Sequence, residues 1–311
     1  MKEDLPTPPF GTWIIALLVV ATATIALLAH SRLVGAPASV RFVEFNQARL
    51  DAYRTGSGHE HRGLVVMFGT SALKYATNEE ADFAHRVSKR VGYPVDVLRI
   101  VNNWGVYGDF EPLMRTINEL HPDLILLQPE LLVTDRPWWR HILLDMDYAK
   151  SRLRGKKNWD HRNEDPQNVQ FDKPCWRRPG VDDIETQLVR RDPWITVDPD
   201  GPDARASREF VLAAAAEDIR VALVDVPRRP DLEAGANGAR RAAFRHPSVA
   251  ATLRRVESWN PPSIPLELFC DISHVSPAGR QVYSSWLEQR VADALAESIT
   301  TTATSVSVVA L

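Results

Sequence analysis

The residues able to do acyl chemistry fall just after short apolar runs. Gly69-Thr70-Ser71 follows the run Gly63 to Phe68, and Cys270-Asp271-Ile272-Ser273-His274 follows Leu266 to Phe269. A serine hydroxyl is a poor nucleophile until a base takes its proton. An imidazole does this best when a carboxylate fixes its other nitrogen. Asp271 and His274 stand three residues apart, so one turn can hold the carboxylate on one ring nitrogen and leave the other for Ser71. Each piece alone has a plainer reading. Gly-Thr-Ser after a strand is an N-cap, Asp-x-x-His is a surface turn or a capped helix start, and Gly105 and Gly108 are turn glycines. Together, each at the end of an apolar run, they read as nucleophile, base and orienter.

The elements that must position them alternate. Gly63–Phe68, Val95–Val101, Asp123–Leu127, Arg220–Val226 and Leu266–Phe269 read as strands. Helical patterns fall over Asn78–Val91, Glu111–Leu120, Ser207–Asp218, Ala239–Glu257 and Pro277–Ser298. Short, wholly apolar strands separated by helices imply a parallel sheet covered on both faces. In such a sheet, active sites gather beyond the carboxyl ends of the strands, where Ser71, the loop Asn102 to Gly108, Gln128-Pro129-Glu130 and Asp271 to His274 all lie.

The N-terminus reads differently. No charged residue occurs from Leu5 to Ala29, and Phe10 to Ala29 is nearly all apolar with Trp13 near one end. About 20 such residues span the roughly 30 Å hydrocarbon core of a bilayer. The opening Met-Lys-Glu-Asp is not the basic start of a cleavable signal, so an uncleaved anchor is expected. The resulting organisation is a short tail at 1–9, a transmembrane anchor at 10–29, a linker at 30–60, a catalytic body at 61–299 and a flexible tail at 300–311. Lys2 before the span, against Arg32 and Arg41 after it, favours a cytoplasmic C-terminal side.

From 134 to 204 the alternation breaks into a long insertion rich in Pro, Trp and charge. Trp138, Trp139, Trp159, Trp176 and Trp194 fall there, as does a basic cluster at Lys150, Arg152, Arg154, Lys156 and Lys157. Two readings of the tryptophans are open, packing of the insertion onto the body or stacking on sugar rings. The basic cluster is either a solvated face or a contact for anionic headgroups or polymer. Trp104, Tyr107, Trp138 and Trp139 are the candidate substrate contacts.

Composition excludes several classes. With 311 residues, 44% hydrophobic, 25% charged and a net charge of −3, the chain is neither disordered nor fibrous, and no bulk charge favours nucleic acid. Two cysteines make neither a disulfide-rich scaffold nor a four-cysteine zinc site. Cys175 and Cys270 are either one bridge or two buried thiols. His141, His161 and His246 show no ligand spacing, so neither metal nor cofactor is expected.

These blocks resemble the SGNH (GDSL-like) hydrolase superfamily. Gly69-Thr70-Ser71 matches its Gly-Asp-Ser, Gly105 matches the glycine of its second block, and Asp271 to His274 matches the terminal Asp-x-x-His. The resemblance implies Ser71 as nucleophile, His274 as base and Asp271 as its orienter, with the N–H groups of Ser71 and Gly105 facing an oxyanion. Thr70 stands where the family has aspartate. Gln128-Pro129-Glu130 replaces the third block, Gly-x-Asn-Asp, so the Gln128 amide takes the asparagine's place while Glu130 would repel an oxyanion.

The implied fold is α/β, a three-layer flavodoxin-like parallel sheet of SGNH type behind one N-terminal transmembrane helix. With the anchor, the blocks are similar to the extracytoplasmic acyl-transfer proteins of cell-envelope polymers. That subgroup implies a single-pass protein with its catalytic domain outside the cytoplasm, against the charge count. It would act as an esterase or O-acyltransferase on an acylated glycan, beside a multi-span membrane O-acyltransferase. The alternatives are a non-catalytic adaptor of the same fold and a cytoplasmic-facing lipase or thioesterase.

Overall fold

The computed structural model describes residues 9–34, 38–59, 62–103, 105–137, 139–140, 195–230, 238–271 and 273–309. The chain divides into two units, Met1–Phe42 with Trp138–Trp159, and Val43–Pro137 with Asp160–Leu311. Most of the 134–204 insertion, its basic cluster and Trp104, Trp138, Trp159, Trp176 and Trp194 lie outside the described residues.

In the first unit, α1 runs over Phe10–Val34. Among the described residues, no helix is long and apolar enough to cross a membrane. This corrects the fold expected from sequence, in which the sheet stood behind a transmembrane helix. The single-pass localisation, the membrane contact through the N-terminal helix and the multi-span acyltransferase partner all rested on that helix and are withdrawn with it.

The second unit holds the sheet and the candidate site residues at its carboxyl edge. The region read as a linker forms α2, Ala38–Thr55. The sheet then begins with β1, Gly63–Gly69, every residue of which is buried. The short α3, Ser71–Ala76, follows directly. Next comes α4, Glu80–Val91, with Glu80 and Asp82 in its first turn and Lys89 and Arg90 in its last, matching the helix dipole. It stops at Gly92, whose φ of 82° is the left-handed cap that glycine tolerates. β2 is Val95–Val101, α5 Glu111–Glu119, and β3 Leu124–Leu127.

A two-stranded antiparallel ribbon, β4 (Thr134–Asp135) with β5 (Thr196–Val197), closes the ends of the insertion. It is followed by α6 (Pro202–Ala216) and β6 (Val221–Val224). The helix expected over Ala239–Glu257 is broken in two, α7 (Gly238–Phe244) and α8 (Pro247–Leu253), because Pro247 cannot continue a helix but can start one. Its last residue opens β7, Glu257–Trp259. The strand expected at Leu266–Phe269 is instead a 3₁₀ turn over Leu266–Leu268. The closing helix α9, Pro277–Val309, extends through most of the segment read as a frayed tail.

All neighbouring strands of the five-stranded sheet are parallel, in the order β2-β1-β3-β6-β7. This is a doubly wound order, with crossovers leaving β1 in both directions. Alternate residues face opposite sides. Val65, Met67, Val97, Leu126 and Val224 pack with Leu73, Phe83, Val87, Tyr283 and Leu287 from α3, α4 and α9. On the other side, Phe68 meets Phe110 and Phe210 edge-on at 5.9 and 6.4 Å. The sheet is therefore the middle of three layers, and β1 is buried on both faces.

Candidate active site

Ser71 owes its place to the end of β1. The ladder holds β1 to its end on both sides, through Asn102 N–H to Gly69 O at 3.0 Å and Gln128 N–H to Phe68 O at 2.9 Å. Thr70 then caps α3, its hydroxyl accepting from Ala72 N–H at 3.3 Å. Ser71 is thus the first residue of a helix at the carboxyl edge of the sheet. Its N–H has no partner among the described residues, as befits a first-turn amide.

His274 comes from the opposite end of the chain. A bridge between Phe269 and Val275 pinches off the loop between them, and Cys270 N–H donates to His274 O at 2.8 Å. Within that loop, Asp271 Oδ1 accepts from the N–H groups of Ser273 and His274, both at 2.8 Å. Its Oδ2 lies 2.8 Å from His274 Nδ1, and His274 Nε2 lies 3.0 Å from Ser71 Oγ. An ionised carboxylate only accepts, so Nδ1 carries the ring proton and Nε2 is left to accept from the serine hydroxyl. Burial pushes the Asp271 carboxyl up, but the His274 ring and the two backbone N–H groups outweigh it and hold it below its ordinary value.

A buried polar network fixes the two halves of this line to each other. Arg280 of α9 donates to Tyr75 O at 3.0 Å, and the Tyr75 ring stands edge-on to His274 at 5.1 Å. Asn78, just beyond α3, donates from its backbone to Ser284 Oγ and from its side chain to Glu288 Oε1, both at 3.0 Å. Arg99 of β2 donates to Thr77 Oγ1 at 2.7 Å and Asn78 O at 2.6 Å. Glu288 is fully buried. Its burial raises its pKa against the pull of Ser284, Asn78, Arg86 and Arg90.

The remaining expected site residues are distributed unevenly. Gln128 is buried at the same edge, its Oε1 accepting from Thr70 N–H at 2.8 Å and Thr70 Oγ1 at 3.1 Å. Gly105 N–H is already engaged, donating to Asn102 O at 3.1 Å. The close approach of Asn102 and Phe110 explains the glycine there. Tyr107 is buried in the core against Phe210 at 5.9 Å. Trp139 belongs to the first unit and lies under the Arg140 guanidinium at 4.2 Å.

Cys270, immediately before Asp271, is in a disulfide. Cys175 is the only other cysteine in the chain and lies outside the described residues. Among the described residues, no group of three His, Cys, Asp or Glu could hold a metal ion.

Sequence reasoning missed the cations of this edge. Glu130 pairs with Arg228 and, at 2.7 Å, with Arg240, which also meets Asp225 at 3.0 Å. The repulsive charge expected of Glu130 is therefore compensated. The signal was available, since Arg228 follows a strand end just as Ser71 does.

No family model matches the chain, and no curated protein matches it. Among solved structures it is similar to an acetyl xylan esterase at 12% identity and TM-score 0.37, covering 76% of this chain and 99% of that one. An acetylxylan esterase from Geobacillus stearothermophilus matches at 11% identity and TM-score 0.37, over 72% of this chain and 91% of its own. An alpha/beta hydrolase enzyme from the metagenome of Lake Arreo, Spain, matches at 12% and 0.39, over 77% and 99%. Likeness at this level carries no statement about the activity of this chain. The expected membership of a membrane-anchored SGNH subgroup is corrected. No family model supports it, and no described helix supplies the anchor that defined it.

Proposed function

We propose that this chain is a serine-dependent esterase, with Ser71 as nucleophile, His274 as general base and Asp271 as the group that orients the imidazole. The observation that carries this reading is the continuous line from Asp271 Oδ2 to His274 Nδ1 at 2.8 Å and from His274 Nε2 to Ser71 Oγ at 3.0 Å. Ser71 Oγ attacks the acyl carbon as its proton passes to Nε2, and the carbonyl π pair moves onto oxygen. Collapse of the adduct breaks the ester C–O bond, and the leaving alkoxide takes the proton from Nε2. Water then attacks the acyl-serine with His274 again as base, releasing the carboxylic acid and restoring the hydroxyl.

The oxyanion donors in this reading are Ser71 N–H, at the start of α3, and Gln128 Nε2. Gly105 is left out because its N–H is spent on Asn102. Asp271 stabilises the imidazolium that forms in each half-reaction and stays ionised throughout.

Covalent labelling with a fluorophosphonate, read by peptide mass spectrometry, tests the assignment. The expected result is one adduct on Ser71, lost in His274→Ala, together with hydrolysis of p-nitrophenyl acetate by the unmodified chain. A folded protein that gives neither adduct nor turnover overturns it.

A further inference from the structure

We infer that Thr70 is a positioning residue that aims the Gln128 carboxamide nitrogen at the acyl oxygen, an inference resting on the esterase reading above. Two donors from one residue converge on one oxygen, with Thr70 N–H at 2.8 Å and Thr70 Oγ1 at 3.1 Å from Gln128 Oε1. A flipped amide would set its NH₂ against the Thr70 N–H, which can only donate, so the orientation is fixed and Nε2 must point away from it. Nε2 has no partner among the described residues.

The space for this clamp is made by Gly69. A Cβ there would lie 2.8 Å from Gln128 Oε1 and 2.8 Å from Leu73 Cδ2, so any larger residue would displace the amide. Gln128 itself is 3% exposed, which keeps bulk water from competing for its contacts. The residue before the nucleophile thereby ties the first turn of α3 to the end of β3. The two proposed oxyanion donors, Ser71 N–H and Gln128 Nε2, sit on the two elements so joined. Preorganised donors of this kind act at the developing negative charge and need no rearrangement during reaction.

The test is a double-mutant cycle on the full chain with p-nitrophenyl acetate. Thr70→Val should lower kcat by about 10- to 100-fold with KM within about twofold, and Thr70→Ser should restore it. Gln128→Ala should lower kcat by about 100-fold or more, and adding Thr70→Val to it should cost little further. Thr70 also caps α3, and a purely structural role would lower kcat by the same factor in both backgrounds, overturning the inference. So would a Thr70→Val enzyme within about twofold of wild type.

Should Thr70→Val fail to fold, Gln128→Glu decides. It keeps an oxygen for both Thr70 donors and puts a carboxylate oxygen in place of the amide donor, so kcat should fall at least as far as in Gln128→Ala; undiminished kcat overturns the inference. Fluorophosphonate labelling of wild-type Ser71 runs alongside. No label sinks the esterase reading itself, whereas a labelled Ser71 with an uncoupled Thr70 sinks only the positioning role.

Discussion

Two histidine–aspartate pairs stand at opposite edges of the same sheet. At the carboxyl edge, His274 Nδ1 meets Asp271 Oδ2 at 2.8 Å. At the amino edge, His59 Nδ1 meets Asp96 Oδ2 at 2.9 Å. The pairs are alike in length and differ in everything around them. Asp96 also takes a fork from Arg62, Nε at 2.7 Å and NH2 at 2.6 Å, so a permanent cation neutralises it. Asp271 takes neutral backbone N–H groups instead, and among the described residues no Lys or Arg pairs with it. Its charge remains available to an imidazolium. On the far side of the ring, His274 Nε2 faces a serine hydroxyl. The His59 ring packs at a tilt on Tyr53 at 4.0 Å, and its Nε2 abuts Gly56, where an added Cβ would lie 2.8 Å from it. A His–Asp pair becomes a base only when the carboxylate's charge is unspent and the second nitrogen has a proton to take.

Substitutions that break one pair at a time put that contrast to its largest test. Ser71→Ala or His274→Ala should each lower kcat/KM for p-nitrophenyl acetate by about 10⁴-fold or more, and Asp271→Asn by about 10²- to 10⁴-fold. His59→Ala and Asp96→Asn should leave it within about twofold. Steady-state kinetics on the five variants checks this, and comparable losses at both edges would refute the distinction.

The carboxyl edge carries a second restraint that the amino edge lacks, the disulfide at Cys270 beside Asp271. A disulfide restricts the unfolded chain, and its loss should cost about 2–5 kcal/mol. Cys270→Ser should therefore lower the thermal midpoint and speed hydrogen exchange at 273–275. Exchange around 56–63 should change only with global stability. Equal acceleration at both edges, after correction for global unfolding, would mean that the bridge is not local to the site.

Much of this was legible in the sequence, and the failures have physical causes. Ser71 could be placed at the carboxyl edge because it follows an apolar run that is wholly buried as β1, whereas the run before Asp271 and His274 forms no strand and Leu266 to Leu268 are not buried. β7 was missed because Glu257-Ser-Trp259 has only one buried residue and sits at the sheet's edge, where periodicity is weakest. Leu266 to Phe269 has strand composition but closes as a 3₁₀ turn, since Cys270 to Val275 must fold back on Phe269. The Gly105 loop was read for its glycine, and no sequence pattern reveals that the amide is already bonded to Asn102. His59 and Asp96 drew no attention because their contact joins residues far apart in the chain across a strand start.

A third polar cluster sharpens the rule that unspent charge is what matters. Asp109 takes Arg136 in a fork at 2.6 and 2.9 Å, and Asp203 and Asp135 lie beside it, Asp203 N–H donating to Asp135 Oδ1 at 3.0 Å. The Arg136 guanidinium forks onto Asp109, while Asp203 Oδ2 accepts from the Arg136 backbone N–H at 3.3 Å. Burial first, and then the Asp135 charge, pushes the Asp203 carboxyl up to about 6. A folded-state value above the unfolded one means that the folded protein binds more protons between about pH 4 and 6. Stability attached to this group is present below that window and lost as pH rises through it. Asp203→Asn should therefore match wild type near pH 4 and exceed it by about 1–2 kcal/mol above pH 6, after allowance for partial exposure. Urea melts across pH 4–7 give the comparison, and a variant less stable at pH 7 would show that the aspartate's charge is satisfied there.

The smallest effect belongs to the amino-edge pair itself. With Arg62 still forked onto Asp96, His59→Ala removes one hydrogen bond and the stack on Tyr53, a loss of about 0.5–1.5 kcal/mol. Burial raises the Asp96 carboxyl, and the Arg62 and His59 hydrogen bonds more than offset it, leaving it below its ordinary value. A depressed carboxylate contributes stability above its unfolded pKa, and that contribution fades as pH falls through the folded one, so the His59→Ala loss should shrink below about pH 4. If Arg62 is what consumes the Asp96 charge, removing it must strengthen the hold of His59. The His59→Ala loss should then be larger in Arg62→Ala than in wild type, measured by urea unfolding at pH 7. An unchanged loss would mean that Asp96 has charge to spare even with Arg62 in place, and the contrast with Asp271 would then rest on Ser71 alone.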